Sequence, residues 1–461
     1  MIELHPLEIL PITLYLLFLL IIGFRSRHSH RDEADFIVGG RQLTLPAFVA
    51  TLVTTWYGGI LGVGEFTYLY GLSNWVVFGL PYYLFAILFG LVLAPKIQQA
   101  QLLSIPDQLF LHYGKSSGFV GTLFTFFMTL PAPYVLMIGF LIHLITGWSL
   151  WICLILGTLF SMVYVLNGGF RAVVRTDKLQ FVLMFGGFAV MFGVLLSRYG
   201  GLNFLKTHLP PLHLSWHGGH SVQYILVWFF IALWTLIDPG FHQRCYAART
   251  PQTARRGILL SVLFWAIFDL LTTATGLYAR ALLPDIEPAL SYPWLSHRIL
   301  PPLLSGIFYS GLLATIMSTL DSNFLLSAVT LGHDLLGKFT TQETRRIQFT
   351  RVGLILSALL SIGLALLFPS VIQLWYLIGT LFIPPMLIPV LGSYFPLFRL
   401  TPSMAFLNLT GSFLSSLFLL GMSLHQSSST EELHYWLGIQ PMFGGLVFSL
   451  GIWIVEKVRK R

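Results

Sequence analysis

Four hydroxyl side chains, Thr315, Ser318, Thr319 and Ser322, recur at i, i+3, i+4 and i+7 beside Asp321, so a helix through them puts all four on one face. Hydroxyl and carbonyl oxygens are hard ligands, suited to a cation such as sodium. A lone hydroxyl in an apolar helix bonds back to the carbonyl at i−4 or bridges to a neighbour. Four on one stripe beside an acid point instead to a shared ligand face. Free carbonyls, the other half of such a site, require a broken helix. Two segments carry breakers: Gly58, Gly59, Gly62 and Gly64, followed by Glu65, and Asp238-Pro239-Gly240. Where a helix unwinds in hydrocarbon, its carbonyls must find a cation, water or another donor. Close helix packing is the competing role for the glycines.

The elements that position these residues lie in a membrane. Of 461 residues, 56% are hydrophobic and only 10% are charged, against about 25% charged in ordinary soluble domains. Thirteen stretches near the roughly 20 apolar residues of a spanning helix are expected at 7–24, 45–71, 74–95, 117–147, 149–168, 175–198, 221–245, 256–284, 303–336, 351–368, 370–395, 403–424 and 436–457. The alternation of a β-barrel is lacking.

The net charge of +8 follows topology rather than nucleic-acid binding, and no nucleic-acid partner is expected. With the N-terminus outside, 22 basic residues fall in inner connections, including Arg25, Arg27, Arg31, Arg175, Lys178, Arg244, Lys460 and Arg461. Only Arg198, Lys206, Arg280 and Arg298 fall outside. The inner loops would meet anionic lipids of the cytoplasmic face. The first span begins Met-Ile-Glu-Leu-His-Pro-Leu-Glu, without a positive start or a small-residue cleavage site, and reads as a retained helix. A bacterial inner membrane fits these features.

Cys153 and Cys245 make no disulfide framework. His208, His213, His217 and His220 share a connection without metal-site spacing, and there is no nucleophile triad, so an enzyme is not expected. Blocks 45–198 and 221–395 each open on a broken helix. Each holds five spans, an odd number, so the second enters the membrane inverted relative to the first, the geometry of inverted-repeat secondary transporters. One helix, 7–24, precedes them and two, within 401–457, follow. Glu65, Asp269 and Asp321 lie inside spans while the bases are counted in loops. Glu65 could meet a substrate ammonium, a proton, an ion or an exposed carbonyl, whereas Asp269, followed by Thr272 and Thr273, leans to structural hydrogen bonding.

These residues resemble the sodium:solute symporter family, through Ala34-Asp-Phe-Ile-Val-Gly-Gly-Arg41, Gly169-Phe-Arg-Ala-Val-Val-Arg-Thr-Asp177, Asp238-Pro-Gly-Phe-His-Gln-Arg244 and Ile316-Met-Ser-Thr-Leu-Asp-Ser322. The resemblance implies an all-α polytopic protein of about 13 transmembrane helices with a LeuT-like five-plus-five inverted repeat. It also implies sodium as the coupling ion, held by the carbonyls of Thr54, Tyr57 and Thr315 and the hydroxyls of Ser318 and Thr319. A second sodium in some members would use Asp177, Asp321 and Ser322. Here Asp321 replaces a hydroxyl, and Arg175 and Lys178 flank Asp177, so one sodium is expected, with a second at Asp177, Asp321 and Ser322 as the alternative.

The solute would sit between the broken helices, with Trp56, Gly58, Gly59, Glu65 and Trp234 as contact or gate residues. Sugar carriers of the family place polar residues where this chain has Trp56, Ile60 and Leu61, which argues against a sugar. The expected activity is sodium-coupled symport of a small organic solute, amino-acid-like or carboxylate-like, by alternating access. The alternatives are a proton-coupled carrier using Glu65 or Asp177, and a channel or sensor.

Overall fold

A computed structural model describes residues 2–25, 33–340, 342–426 and 435–459; Arg27, Arg31, Lys460 and Arg461 of the basic connections lie outside the described residues. The elements that matter for the site are α1 (Pro6–Arg25), α2 (Leu45–Trp56), α3 (Ile60–Tyr70), α4 (Ile105–Met128), α5 (Leu150–Tyr199), α6 (Val222–Ile231), α7 (Trp234–Ile237), α8 (Pro239–Ala247), α9 (Pro251–Leu282), α10 (Pro302–Val329), α11 (Glu343–Leu367), α12 (Val371–Tyr394), α13 (Pro402–Gln426) and α14 (Pro441–Arg459). Among the described residues, twelve helical stretches are long and apolar enough to cross a bilayer, and Leu150–Val165 is a shorter apolar helix beside them. That segment is the first part of α5, which breaks at Gly169, where φ is +52°. A side chain at Gly169 would also press on the Phe36 carbonyl, so the position favours glycine on both counts.

Local chemistry explains the other boundaries. Ser104, Thr250 and Ser370 each accept the N–H three residues on, capping α4, α9 and α12. Asp238 precedes a proline and takes an extended conformation (φ −66°, ψ 119°) that no helix continues through. Its carboxylate then caps α8 by accepting the Phe241 N–H at 2.8 Å.

α10 is the axis of the bundle: every residue from Phe308 to Ser322 is buried. It packs along α5, with Gly311 leaving room for the Leu183 carbonyl, while α1 lies across both. On its outer side α1 exposes Leu7, Leu10, Leu14, Phe18 and Ile21, as expected of a lipid-facing helix. Leu43 and Ala248 form a parallel bridge that joins the segment before α2 to the end of α8. In the histidine-bearing connection, His213 turns inward to the Tyr68 carbonyl (2.9 Å) and His220 stacks on Tyr224, so these rings do not gather.

Candidate functional site

Between α2 and α3 the chain makes one tight turn of 3-10 helix, Tyr57–Gly59. This is a narrower break than the glycine-rich sequence suggests, because a 3-10 turn still satisfies most of its carbonyls. Gly58 and Gly59 have ordinary negative φ, and their value is close approach. A Cβ on Gly58 would overlap the Thr319 side chain, and one on Gly59 would overlap the Trp375 ring. Gly64 does the same for Tyr292, at 2.7 Å.

The break and the hydroxyl ridge of α10 therefore meet. Thr319 Oγ1 donates to the Thr55 carbonyl at 2.6 Å and lies 3.4 Å from that of Thr54. Ser318 Oγ donates to Asp177 Oδ1 at 2.6 Å, and the other Asp177 oxygen accepts from Thr51. Tyr57 opens the turn whose next residue rests on Thr319, and Thr315 stands one turn earlier on α10. The Thr315 hydroxyl bonds back to the Gly311 carbonyl at 2.7 Å, the ordinary fate of a threonine in an apolar helix. Three of the four ridge hydroxyls thus reach other helices.

Arg244 corrects the sequence-based inventory of cations. The count of bases places it in an inner connection, yet it is fully buried. The proline break before α8 carries it inside, where its guanidinium lies over the Phe170 ring at 5.4 Å. Nη2 donates to Thr51 Oγ1 (3.2 Å), Thr55 Oγ1 (2.9 Å) and Ser322 Oγ (2.7 Å). Through Thr51, Arg244 is coupled to Asp177. Arg175 and Lys178, expected beside Asp177, point outward and are exposed.

The second ion set is not drawn together. Asp177 faces Ser318 and Thr51, Ser322 is held by Arg244, and Asp321 turns to α5, accepting from the Ser161 and Tyr164 hydroxyls. Arg244 contacts Ser322 directly and reaches Asp177 through the Thr51 hydroxyl.

Next to the ridge lies a cavity of about 170 Å³ bounded by Trp56, Trp234, Trp375, Tyr134, Asp238 and Asp269, with Tyr57, Gly59 and Thr319 also on its wall. Its size is comparable to the roughly 150 Å³ cavity that accepts a benzene molecule. Trp234 is held by its indole N–H on Asp238 (2.6 Å), and Trp56 packs edge-on against Tyr82 and Phe241. Asp269 lines the cavity while accepting the Tyr83 hydroxyl. Gly58 is not on its wall. Neither is Glu65, which is half-buried on α3. Ile60 and Leu61 are buried in the core away from it.

The sequence profile described as "Sodium:solute symporter family" matches residues 36–409. The chain belongs to the sodium:solute symporter family. Among relatives of this symporter chain, the sodium/pantothenate symporter of Haemophilus influenzae is 27% identical over 348 residues, covering 71% of this chain and 72% of the relative. The osmoregulated proline transporter OpuE of Bacillus subtilis is 25% identical over 368 residues, covering 75% and 74%. A sodium-coupled sialic acid symporter, solved substrate-bound and outward-open, superimposes with a TM-score of 0.79 at 14% identity, covering 98% of this chain and 97% of that one. The fold is the LeuT type, and family and fold are those of transporters, not enzymes.

Within this symporter fold, sequence reasoning missed Thr55, Arg244, Trp228 and Trp375. Arg244 had a signal, since it closes the quoted Asp238–Arg244 motif only six residues after the break at Asp238, close enough to the start of the restarted helix to lie inside the bundle. Trp375 had none: its partner is Gly59, more than three hundred positions away.

Proposed function

We propose that this chain is a secondary active transporter that couples inward sodium movement to uptake of a small organic solute by alternating access. Sodium is held by the carbonyls of Thr54, Tyr57 and Thr315 and the hydroxyls of Ser318 and Thr319, an all-oxygen donor set suited to a hard monovalent ion. The observation that carries this reading is the contact of Thr319 with the Thr54 and Thr55 carbonyls at the helix break. An ion there would replace direct hydroxyl–carbonyl bonds and hold α2 against α10. With Arg244 seated between Asp177 and Ser322, one sodium per cycle is the reading. Each inward charge gains about 2.3 kcal/mol per 100 mV of membrane potential.

The segments 45–198 and 221–395 act as the inverted repeats, flanked by 7–24 and 401–457. The protein sits in a bacterial inner membrane with its N-terminus outside, its C-terminus cytoplasmic and its inner loops on anionic lipids. Trp56 and Trp234 contact or gate a solute that is not a sugar, with an amino-acid-like or carboxylate-like compound as the class.

The test is a solute screen by thermal unfolding in sodium and in potassium, followed by uptake into proteoliposomes of whichever solute stabilises only in sodium. Ser318→Ala with Thr319→Ala should abolish sodium-stimulated uptake while the protein remains inserted. Undiminished sodium dependence in that variant, or uptake driven by a pH gradient in potassium alone, would overturn the assignment.

A further inference from the structure

The wall of the central cavity carries a charge pattern that sodium does not explain. Four indoles line it, from Trp56, Trp228, Trp234 and Trp375, and its ionisable residues other than tyrosine are two aspartates; no lysine, arginine or histidine is among its lining residues. The two aspartates differ. Asp238 is occupied: it accepts the Trp234 indole N–H and the Phe241 backbone N–H, and Arg244 lies near enough to offset its charge. Asp269 has no such cation. Its neighbours are the hydroxyls of Tyr83, which donates to it, and of Tyr57, and it is buried to 6% exposure at the cavity wall.

A carboxylate on the wall of a cavity that four indoles also line, with hydroxyls but no positive side chain among the lining residues, is an arrangement that attracts a cation. Ring faces carry negative potential, and an ammonium or guanidinium gains from them most when water is excluded. An anionic solute without an amine would leave the Asp269 carboxylate without a counter-charge, since no basic side chain lines the cavity.

We propose that the cavity takes a compact ammonium-bearing solute, with Asp269 opposing its charge and the indoles of Trp56 and Trp375 covering its methylene or methyl surface. This rests on the symport reading and narrows it. A zwitterion such as an amino acid satisfies it, with its carboxylate toward the sodium at Thr319, which the cavity and the ridge share; a simple monocarboxylate does not.

Three probes of nearly one shape separate the cases: tetramethylammonium, tert-butanol and pivalate, which differ chiefly in charge. The measurement is the thermal unfolding midpoint of the full chain in nanodiscs, in sodium chloride or potassium chloride of matched ionic strength. Tetramethylammonium should stabilise in sodium at about tenfold lower concentration than either of the others, the ratio that one net charge–charge contact supplies in a partly screened site. Asp269→Asn should erase that preference while leaving the response to tert-butanol and the shift caused by sodium alone. Asp269→Glu should retain it. The retained sodium shift shows that the variants are folded.

Equal or better stabilisation by tert-butanol or pivalate overturns the proposal, as does a preference that survives Asp269→Asn. So does the lack of any response to tetramethylammonium below concentrations that perturb a soluble control protein. If sodium alone shifts the wild-type midpoint while the probes do not discriminate, only the ammonium inference fails. If sodium produces no shift, the symport reading beneath it fails.

Discussion

Two of the regions where charged groups meet in this molecule are built differently. In the centre, Arg244 and Asp177 are joined through the Thr51 hydroxyl, with Thr55, Ser318 and Ser322 completing the circuit. At one end of α10, charges pair directly. Glu33 is held between His333 Nδ1 (2.7 Å) and Arg346 Nη1 (3.0 Å), and Asp107 between His333 Nε2 (3.1 Å) and Lys338 Nζ (2.7 Å). The end cluster ties the short helix Glu33–Val38, the start of α4, the end of α10 and α11 into one block. Hydroxyl relays can exchange partners by rotating a single χ1 angle, whereas direct ion pairs fix the elements that carry them. The centre is built to reorganise and the end to hold.

The comparison can be broken first at Arg244. Arg244→Met leaves Asp177 and Asp238 without their cation, and removing one member of a buried charge pair costs about 3–5 kcal/mol. A large fall in the unfolding midpoint and loss of uptake are expected. Combining it with Asp177→Asn should recover part of the stability but not the uptake, a coupling that a double-mutant cycle measures. Simple additivity would show that the Thr51 relay does not link the two.

Gly59→Ala comes next. Its Cβ has no room beside Trp375, so a loss of about 1–3 kcal/mol is expected, with Trp375→Phe in the same chain restoring much of it. If Gly59→Ala is as stable as wild type, α2 and α12 are not in this contact in the resting state.

The end cluster should respond less. Glu33→Gln removes a charge but keeps a hydrogen-bonding side chain, with an expected cost of about 1–2 kcal/mol and retained sodium dependence. Burial alone would raise the Glu33 carboxyl, but the His333 hydrogen bond and charge, aided by Arg346, hold it below its ordinary value. Its contribution to stability is therefore complete above the ordinary carboxylate value and is lost as the pH falls through the depressed one. Wild type should lose stability on that acid limb more steeply than Glu33→Gln. Parallel acid limbs would remove Glu33 from the account.

The sequence disclosed the helices and the ridge because both are periodic: apolar runs of spanning length, and hydroxyls at i, i+3, i+4 and i+7. It disclosed the break at Asp238 because proline restricts the residue before it. Arg244 reads as a loop cation, since counting bases by connection assumes that a basic residue near a span's end lies in water. A helix restarted inside the bundle defeats that assumption. The cavity was the least legible feature. Trp228, Trp375 and Asp269 converge from α6, α12 and α9, and no local pattern announces a meeting of distant helices. The four glycines were legible as important; at Gly58 and Gly59 the 3-10 break and the close approach of Thr319 and Trp375 coincide.

One modest contact constrains how such a machine can move. Leu43 N donates to the Ala247 carbonyl at 3.0 Å, and Arg249 N donates to the Leu43 carbonyl at 3.1 Å. These two backbone hydrogen bonds tie the lead-in of the first interrupted helix to the tail of the second. Breaking both at once would leave the buried Leu43 and Ala247 peptide groups to find new partners, at about 1–3 kcal/mol each where water does not reach, so the two interrupted helices are expected to shift together at this point.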